Sequence, residues 1–343
     1  MIIILKHNAS FNEIDELVNL LNQTGNQAYF IKAHNLIVLS KFNNDINSLV
    51  KNSLVVDEVK NIESPYKLSS FQYKSETEFV VKNNKIGSKH YNIIAGPCSV
   101  ESEEQIFATA EFLNKQNIAF IRGGAYKPRT SPYSFKGLGL QGLKLIREAA
   151  DTYNLTVVTE LLDLSLLDEV SEYADIIQIG SRNMSNFYML TELGKINKPI
   201  LLKRGMSAKI SEWLLAADYI LSGGNENVIL CERGIRSFDP EQRNVMDIGA
   251  ISLIKQLSHL PVWADPSHGT GNAKIVKPLS LASYIAGANG LMVEIHPYPQ
   301  KALSDSKQAL SFNEFEDLLS DLNQLKDLSQ KAKNTAHKSI TFV

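Results

Sequence analysis

Cysteine is scarce in this chain: two residues, Cys98 and Cys231, among 343. They end different apolar runs, and nothing resembles a compact Cys-x-x-Cys pair. A structural disulfide is therefore not expected, and the setting read from this is a reducing cytoplasm. Long apolar runs are missing too. None approaches the roughly 18 residues a spanning helix needs, so no membrane partner is expected. The opening Met1-Ile-Ile-Ile-Leu-Lys6 has no basic segment before it and no small-residue cleavage site after it, and it reads as a strand rather than a signal peptide. An excess of one charge is also absent: 35 Lys+Arg against 37 Asp+Glu leave a net −2. That argues against a whole-surface nucleic-acid binder, so any basic character is local and suits an anion pocket.

The length predicts one large domain and a smaller one. Residues 1–62 read as a βαββαβ unit of the ferredoxin-like kind. Its strands are expected at Ile2–Leu5, Ala28–Ile31, Leu36–Leu39 and Val55–Val59, and Phe11, Ile14, Leu17, Val18 and Leu21 share one helix face. Residues 63–91 read as a linker with an extra strand in a hairpin ahead of the next domain, closing its bottom. From 92 to 326 short apolar runs alternate with amphipathic segments, matching a (β/α)8 TIM barrel. A doubly wound open sheet is the structural alternative. Residues 327–343 read as a C-terminal tail, polar and frayed from Lys331 onward.

The eight barrel runs end in polar or charged residues, among them Cys98, Arg122, Glu160, Arg182, Lys203, Arg233, Asp265 and Glu294. Parallel strands of a closed barrel aim these ends at one face, where such enzymes keep their active site. Gly137-Leu-Gly-Leu-Gln-Gly142 matches a dinucleotide fingerprint, but no strand precedes it, and it is set aside. Cys98, His268, Glu294 and Asp305 fall at or after the first, seventh and eighth strands, which are neighbours in a closed barrel. A thiolate, an imidazole and two carboxylates suit one divalent ion such as Mn²⁺, Fe²⁺, Co²⁺ or Zn²⁺. Each has a plainer reading, as a buried thiol, a loop histidine or a surface acid. Arg122, Lys127, Arg129, Arg182, Lys203, Arg204, Arg233 and Arg236 form a second constellation at strand ends. Cations crowded round one cavity repel each other unless an anion binds, and arginine forks suit phosphate and carboxylate. Arg204 and Arg236 have the alternative of pairing outward with helix acids. Glu160 and Asp265 either position a water or hold a cationic neighbour.

Several stretches in order carry a resemblance: Ala95-Gly-Pro-Cys-Ser-Val-Glu101, Arg122-Gly-Gly-Ala-Tyr-Lys-Pro-Arg-Thr-Ser-Pro-Tyr133, Gln178-Ile-Gly-Ser-Arg-Asn183 and Leu202-Lys-Arg-Gly205. Cys231-Glu-Arg-Gly-Ile-Arg236, Asp265-Pro-Ser-His268, Val293-Glu-Ile-His-Pro297 and Ala302-Leu-Ser-Asp305 continue it. Together they resemble 3-deoxy-D-arabino-heptulosonate 7-phosphate (DAHP) synthases of the type I-beta group. The resemblance implies condensation of phosphoenolpyruvate with erythrose 4-phosphate, the opening step of the shikimate pathway. It implies that Arg182 and Arg233 hold the phosphoenolpyruvate phosphate, and that Arg122, Lys127 and Lys203 lie near its carboxylate and reacting carbon. Arg129 and Thr130 would grip the sugar phosphate. Lys127 is the expected proton donor, with a pKa lowered by neighbouring cations, and Glu160 is expected to orient the attacking water. The resemblance further implies a homotetramer whose N-terminal domain is regulatory, with Tyr or Phe as feedback inhibitor. The related 3-deoxy-D-manno-octulosonate 8-phosphate synthases differ at Lys127-Pro-Arg-Thr130, where they typically carry Ala-Asn-Arg-Ser after the lysine; their metal-independent forms have Asn in place of Cys98. Gly269-Thr-Gly-Asn272 departs from the Ser-Gly-Gly loop expected after His268. A non-catalytic amino-acid sensor is the reading from another class; it predicts lost ligands or cations, and none is lost.

Overall fold

Inward and outward residues sort by a period of two along every barrel strand, as the alternation of side chains in a strand requires. The computed structural model describes residues 1–41, 46–51, 53–128 and 131–339. The first unit comprises β1 (Ile2–Leu5), α1 (Phe11–Gln23), β2 (Gln27–Ile31), β3 (Leu36–Lys41), α2 (Ile46–Lys51) and β4 (Val56–Lys60). Its sheet runs β2-β3-β1-β4 with every neighbour antiparallel, the ferredoxin-like arrangement. Ser10 and Glu13 start α1 with a reciprocal capping box. Ile14, Leu17 and Leu21 then bury one face against Ile3, Ile37 and Leu39. Ile2 and Leu36 instead face the large domain and join its core. His34 Nε2 meets the carbonyl of Leu221 at 2.6 Å across that junction.

The hairpin β5 (Glu78–Val81) and β6 (Asn84–Gly87) follows the linker. Val81 and Ile86 pack into the barrel interior with Ile94, Phe120, Val158, Ile176, Leu201, Ile229, Trp263 and Met292, so the hairpin plugs one end. The linker is fastened below the barrel. Asp218 accepts amide hydrogens from Lys67 at 2.5 Å and Ser69 at 2.7 Å. His259 lies 2.6 Å from the Leu68 carbonyl and 2.7 Å from the Thr77 hydroxyl.

The barrel strands are β7 (Asn92–Gly96), β8 (Phe120–Arg122), β9 (Thr156–Leu161), β10 (Ile176–Ile179), β11 (Ile200–Lys203), β12 (Val228–Glu232), β13 (Val262–Ala264) and β14 (Gly290–Glu294). They close in parallel in the order β10-β11-β12-β13-β14-β7-β8-β9, which rules out the open sheet. Between and after them run α3 (Glu103–Lys115), α4 (Leu140–Thr152), α5 (Leu167–Tyr173), α6 (Phe187–Leu193), α7 (Ile210–Ser222), α8 (Ile248–Leu257), α9 (Pro266–Thr270), α10 (Ala273–Ile285) and α11 (Phe312–Ser339). The last helix passes 326 without a break and ends at Ser339, so the polar segment expected as a frayed tail is helical for most of its length. No described helix is long and apolar enough to cross a membrane.

Candidate active site

The apolar interior stripe turns polar two residues further along each strand. Phe120 is followed on the same face by Arg122, Val158 by Glu160, Ile176 by Gln178, Leu201 by Lys203, Cys231 by Arg233, Trp263 by Asp265 and Met292 by Glu294. The period of two therefore carries the chain from packed core to site with no change of register. On β7 the equivalent position is Gly96, with φ +153°, where a Cβ would lie 2.0 Å from the Arg122 carbonyl oxygen. Only glycine leaves room for that passage. The residues face a cavity of about 350 Å³ lined by Lys127, Glu160, Gln178, Arg182, Lys203 and Arg233, with Arg243, His268 and Asp305 at its other side.

Cys98, Glu294 and Asp305 bring ligand atoms within 4.8 Å of one another, a group that could hold a metal ion. The Cys98 thiol donates to Asp305 Oδ2 at 3.3 Å. His268 Nε2 lies 3.3 Å from Glu294 Oε1 and 3.9 Å from Asp305 Oδ2, so the histidine stands beside two members of this group. Local sequence explains the histidine: Asp265 caps α9 by accepting the His268 amide at 3.0 Å, Pro266 occupies the first turn, and the turn delivers His268 inward. Asp305 sits in a left-handed conformation at φ +52°, uncommon for a residue with a Cβ. Burial, then Glu294, push the Cys98 thiol up to about 11, while Lys127 pulls the other way. A divalent cation among these donors reverses that field and favours the thiolate, so the set fits such an ion.

Asp265 links the two constellations. Its buried Oδ2 lies 2.5 Å from Lys203 Nζ and 2.7 Å from His268 Nδ1. Burial alone would raise its pKa, but His268 and Lys203 outweigh this and hold it well below the usual carboxylate range. Asp265 thus stands against one buried ammonium, that of Lys203, and one imidazole, that of His268. Arg122 is equally committed, donating to Glu294 Oε1 at 2.9 Å and to the Pro97 carbonyl at 2.7 Å.

One expectation needs correction, and one left open is decided. Lys127, half-buried and 3.0 Å from the Cys98 carbonyl, was expected to have a lowered pKa; desolvation does pull it down, but Cys98 and then Glu160 outweigh it and raise it. Counting cations at strand ends had left out these acids. Arg204 is no cavity residue: it donates to Glu232 at 2.9 Å and to Asp247 at 2.8 Å, and so serves as the counter-charge of a buried carboxylate. Arg236 is exposed. Arg129 and Thr130 lie outside the described residues.

Arg182 and Arg233 line the cavity and pair with no carboxylate among the described residues. Burial lowers the Arg233 pKa. Glu160 leans over Gly180, where a Cβ would meet its Oε1 at 2.1 Å. Arg243 and Gln308 were not anticipated. They sit in irregular loops, where no periodicity marks a residue as inward.

A closed parallel barrel with an anion-receptive cavity and a candidate metal cluster at the carboxyl ends of its strands defines a (β/α)8 enzyme. Residues 71–331 match the family described as DAHP synthetase I, and the chain belongs to that family. A phospho-2-dehydro-3-deoxyheptonate aldolase of Thermotoga maritima is 45% identical over 331 residues, 95% of this chain and 98% of that protein. The crystal structure of the Thermotoga maritima DAHP synthase superposes with a TM-score of 0.77 at 44% identity, covering 95% of this chain and 97% of that one. A 2-dehydro-3-deoxyphosphooctonate aldolase of Francisella tularensis subsp. holarctica is more distant, 29% identical over 274 residues, 74% of this chain and 98% of that protein.

Proposed function

We propose that the chain joins phosphoenolpyruvate to D-erythrose 4-phosphate with one divalent metal ion, releasing phosphate and DAHP. The observation that carries this reading is one cavity lined by Arg182, Lys203 and Arg233 and also by His268 and Asp305, with Cys98 and Glu294 grouped against Asp305. In the reading, Arg182 and Arg233 take the phosphate of phosphoenolpyruvate, as their freedom from carboxylates supports. Lys203, Arg122 and Lys127 surround its carboxylate end. Arg129 and Thr130 take the sugar phosphate. A divalent ion held by the four ligands supplies Lewis acidity at the aldehyde. Lys127 keeps its amine protonated beside Cys98 and Glu160, and gives that proton to the aldehyde oxygen as C3 of phosphoenolpyruvate bonds to C1 of the sugar. Water, oriented by Glu160, then adds at the electron-poor C2. Breaking the bond from C2 to the phosphate oxygen releases phosphate and leaves the ketone; of the two protons of the added water, one restores the Lys127 ammonium and the other leaves with the phosphate. Asp265 keeps Lys203 and His268 in place throughout.

Among the described residues none of the N-terminal unit lines the cavity, which leaves that unit free for a regulatory role; in the reading Tyr or Phe is its effector and the assembly a homotetramer. Sedimentation and assay with and without each amino acid test this; unchanged shape and unchanged activity would remove it. Two buried free thiols support a reducing, cytoplasmic setting.

Phosphate release is to be measured with erythrose 4-phosphate or arabinose 5-phosphate, before and after EDTA and Mn²⁺ add-back. Turnover with the four-carbon sugar alone, lost on chelation and restored by Mn²⁺, is expected. Turnover with the five-carbon sugar alone would move the chain to octulosonate chemistry, the activity named for the Francisella relative. No turnover with either would revive the sensor reading.

A further inference from the structure

Behind the candidate ligands stands a side chain with no part in the chemistry above. Gln308 is buried, and its Nε2 donates to Glu294 Oε2 at 2.6 Å and reaches Asp305 Oδ2 at 3.3 Å. Its Oε1 accepts from Arg243 at 2.9 Å. The same guanidinium nitrogen lies 3.4 Å from Asp305 Oδ1. Arginine only donates, so it fixes which end of the amide faces it. The NH₂ end is thereby turned toward two carboxylates that only accept. The loop adds a second constraint, since the Gln308 amide donates to the carbonyl of Asp305 at 3.1 Å and so spans the residue in left-handed conformation.

We propose that Gln308, its amide oriented by Arg243, is the positioning residue of the metal centre, holding the Glu294 and Asp305 carboxylates at the separation a divalent ion needs. This rests on the metal-dependent reading above. The chemistry explains why an amide serves here. A lysine in this place would pair with both carboxylates and compete with the ion for them. An amide holds the two like charges together through hydrogen bonds and adds no charge of its own. Arg243 brings its charge against Asp305 Oδ1 at 3.4 Å and reaches Glu294 only through Gln308, from the cavity rim, where its side chain is 42% exposed.

The full-length protein is stripped with EDTA and titrated with Mn²⁺, free ion being read by electron paramagnetic resonance. Gln308→Met keeps the shape of the side chain and removes both donated bonds; its Mn²⁺ dissociation constant is expected to rise about tenfold or more. Arg243→Ala is placed at the rim, where folding is not at stake. It is expected to weaken Mn²⁺ about threefold, and Arg243→Lys, which still donates to Gln308 Oε1, to recover most of that loss. At saturating Mn²⁺ the KM for phosphoenolpyruvate should move less than twofold in Gln308→Met, which separates a role at the metal from one at the anion side. Mn²⁺ affinity within twofold of the parent in both Gln308→Met and Arg243→Ala overturns the proposal. A parent that binds no Mn²⁺ refutes the metal-dependent reading, and this proposal with it.

Discussion

Asp265→Asn tests the joint between the anion side of the cavity and the metal side. The carboxylate uses both oxygens: Oδ1 accepts the His268 amide at 3.0 Å, while Oδ2 faces Lys203 Nζ at 2.5 Å and His268 Nδ1 at 2.7 Å. Asparagine has a single acceptor oxygen. If that oxygen keeps the cap, its NH₂ meets the lysine ammonium, donor against donor; if it serves Lys203, the cap is lost. Either way Lys203, whose side chain is 4% exposed, keeps a buried charge without its counter-ion. Removing one partner of a buried pair costs about 3–5 kcal/mol. At roughly 2 °C per kcal/mol for a chain of this size, that lowers Tm by about 6–10 °C. The imidazole also loses the carboxylate 2.7 Å from its Nδ1, which weakens metal binding about 10–100-fold. Calorimetry and Mn²⁺ titration read the two effects separately. Adding Lys203→Met removes the stranded charge, so the double variant should lose clearly less stability than the two single losses combined. A single variant that melts within 2 °C of the parent and binds Mn²⁺ within twofold would refute the reasoning.

Cys98→Ala should abolish metal-dependent turnover without unfolding the barrel, the circular dichroism spectrum staying that of the parent; full activity after chelation would remove the metal from the mechanism. Gly96→Ala would put a Cβ 2.0 Å from the Arg122 carbonyl oxygen at φ +153°. A loss of several kcal/mol, about 3 or more, is expected in urea unfolding, with kcat/KM falling alongside as Arg122 shifts. His259 should make stability depend on pH: burial lowers its folded pKa to about 4 from an ordinary 6.5. Between those values the unfolded chain holds the extra proton, so stability falls as pH drops through that window and levels off below it. The contribution is on the order of 3 kcal/mol. His259→Gln retains a donor for Leu68 and an acceptor for Thr77; urea unfolding from pH 7 to 4 should show a shallower slope in this variant, and an unchanged slope would count against the assignment.

The parts of the site that alternation alone made legible lie on strands, while Cys98, Lys127, His268 and Asp305 lie beyond them and were carried by the resemblance. On the strands one rule, alternation, fixes which residues share a face, and short apolar runs ending in Arg122, Glu160, Lys203 and Glu294 announce themselves. Pairing was not legible. Lys203 and Asp265 meet across 62 positions and Arg243 and Gln308 across 65, and the loops holding the latter two obey no period. The hairpin partner of β5 was hidden for a similar reason, since Asn84–Gly87 reads as polar turn sequence until the barrel floor demands Ile86.

Pairing also changes what the cation count means. Arg122 is held by Glu294, Lys203 by Asp265, and Arg204 by Glu232 and Asp247. Among the described cations that line the cavity, Lys127, Arg182 and Arg233 form no ion pair, and Arg182 after β10 and Arg233 after β12 lie on either side of β11. The candidate metal ligands follow β13, β14 and β7, the adjoining arc of the same barrel. The mouth is therefore divided rather than uniformly positive: one arc suits a phosphate, the next suits a cation, and Asp265 on β13's end stands at the border between them. A phosphorylated nucleophile and a carbonyl electrophile need such a division, because attraction of both to one pole would stack them on the same charge instead of face to face.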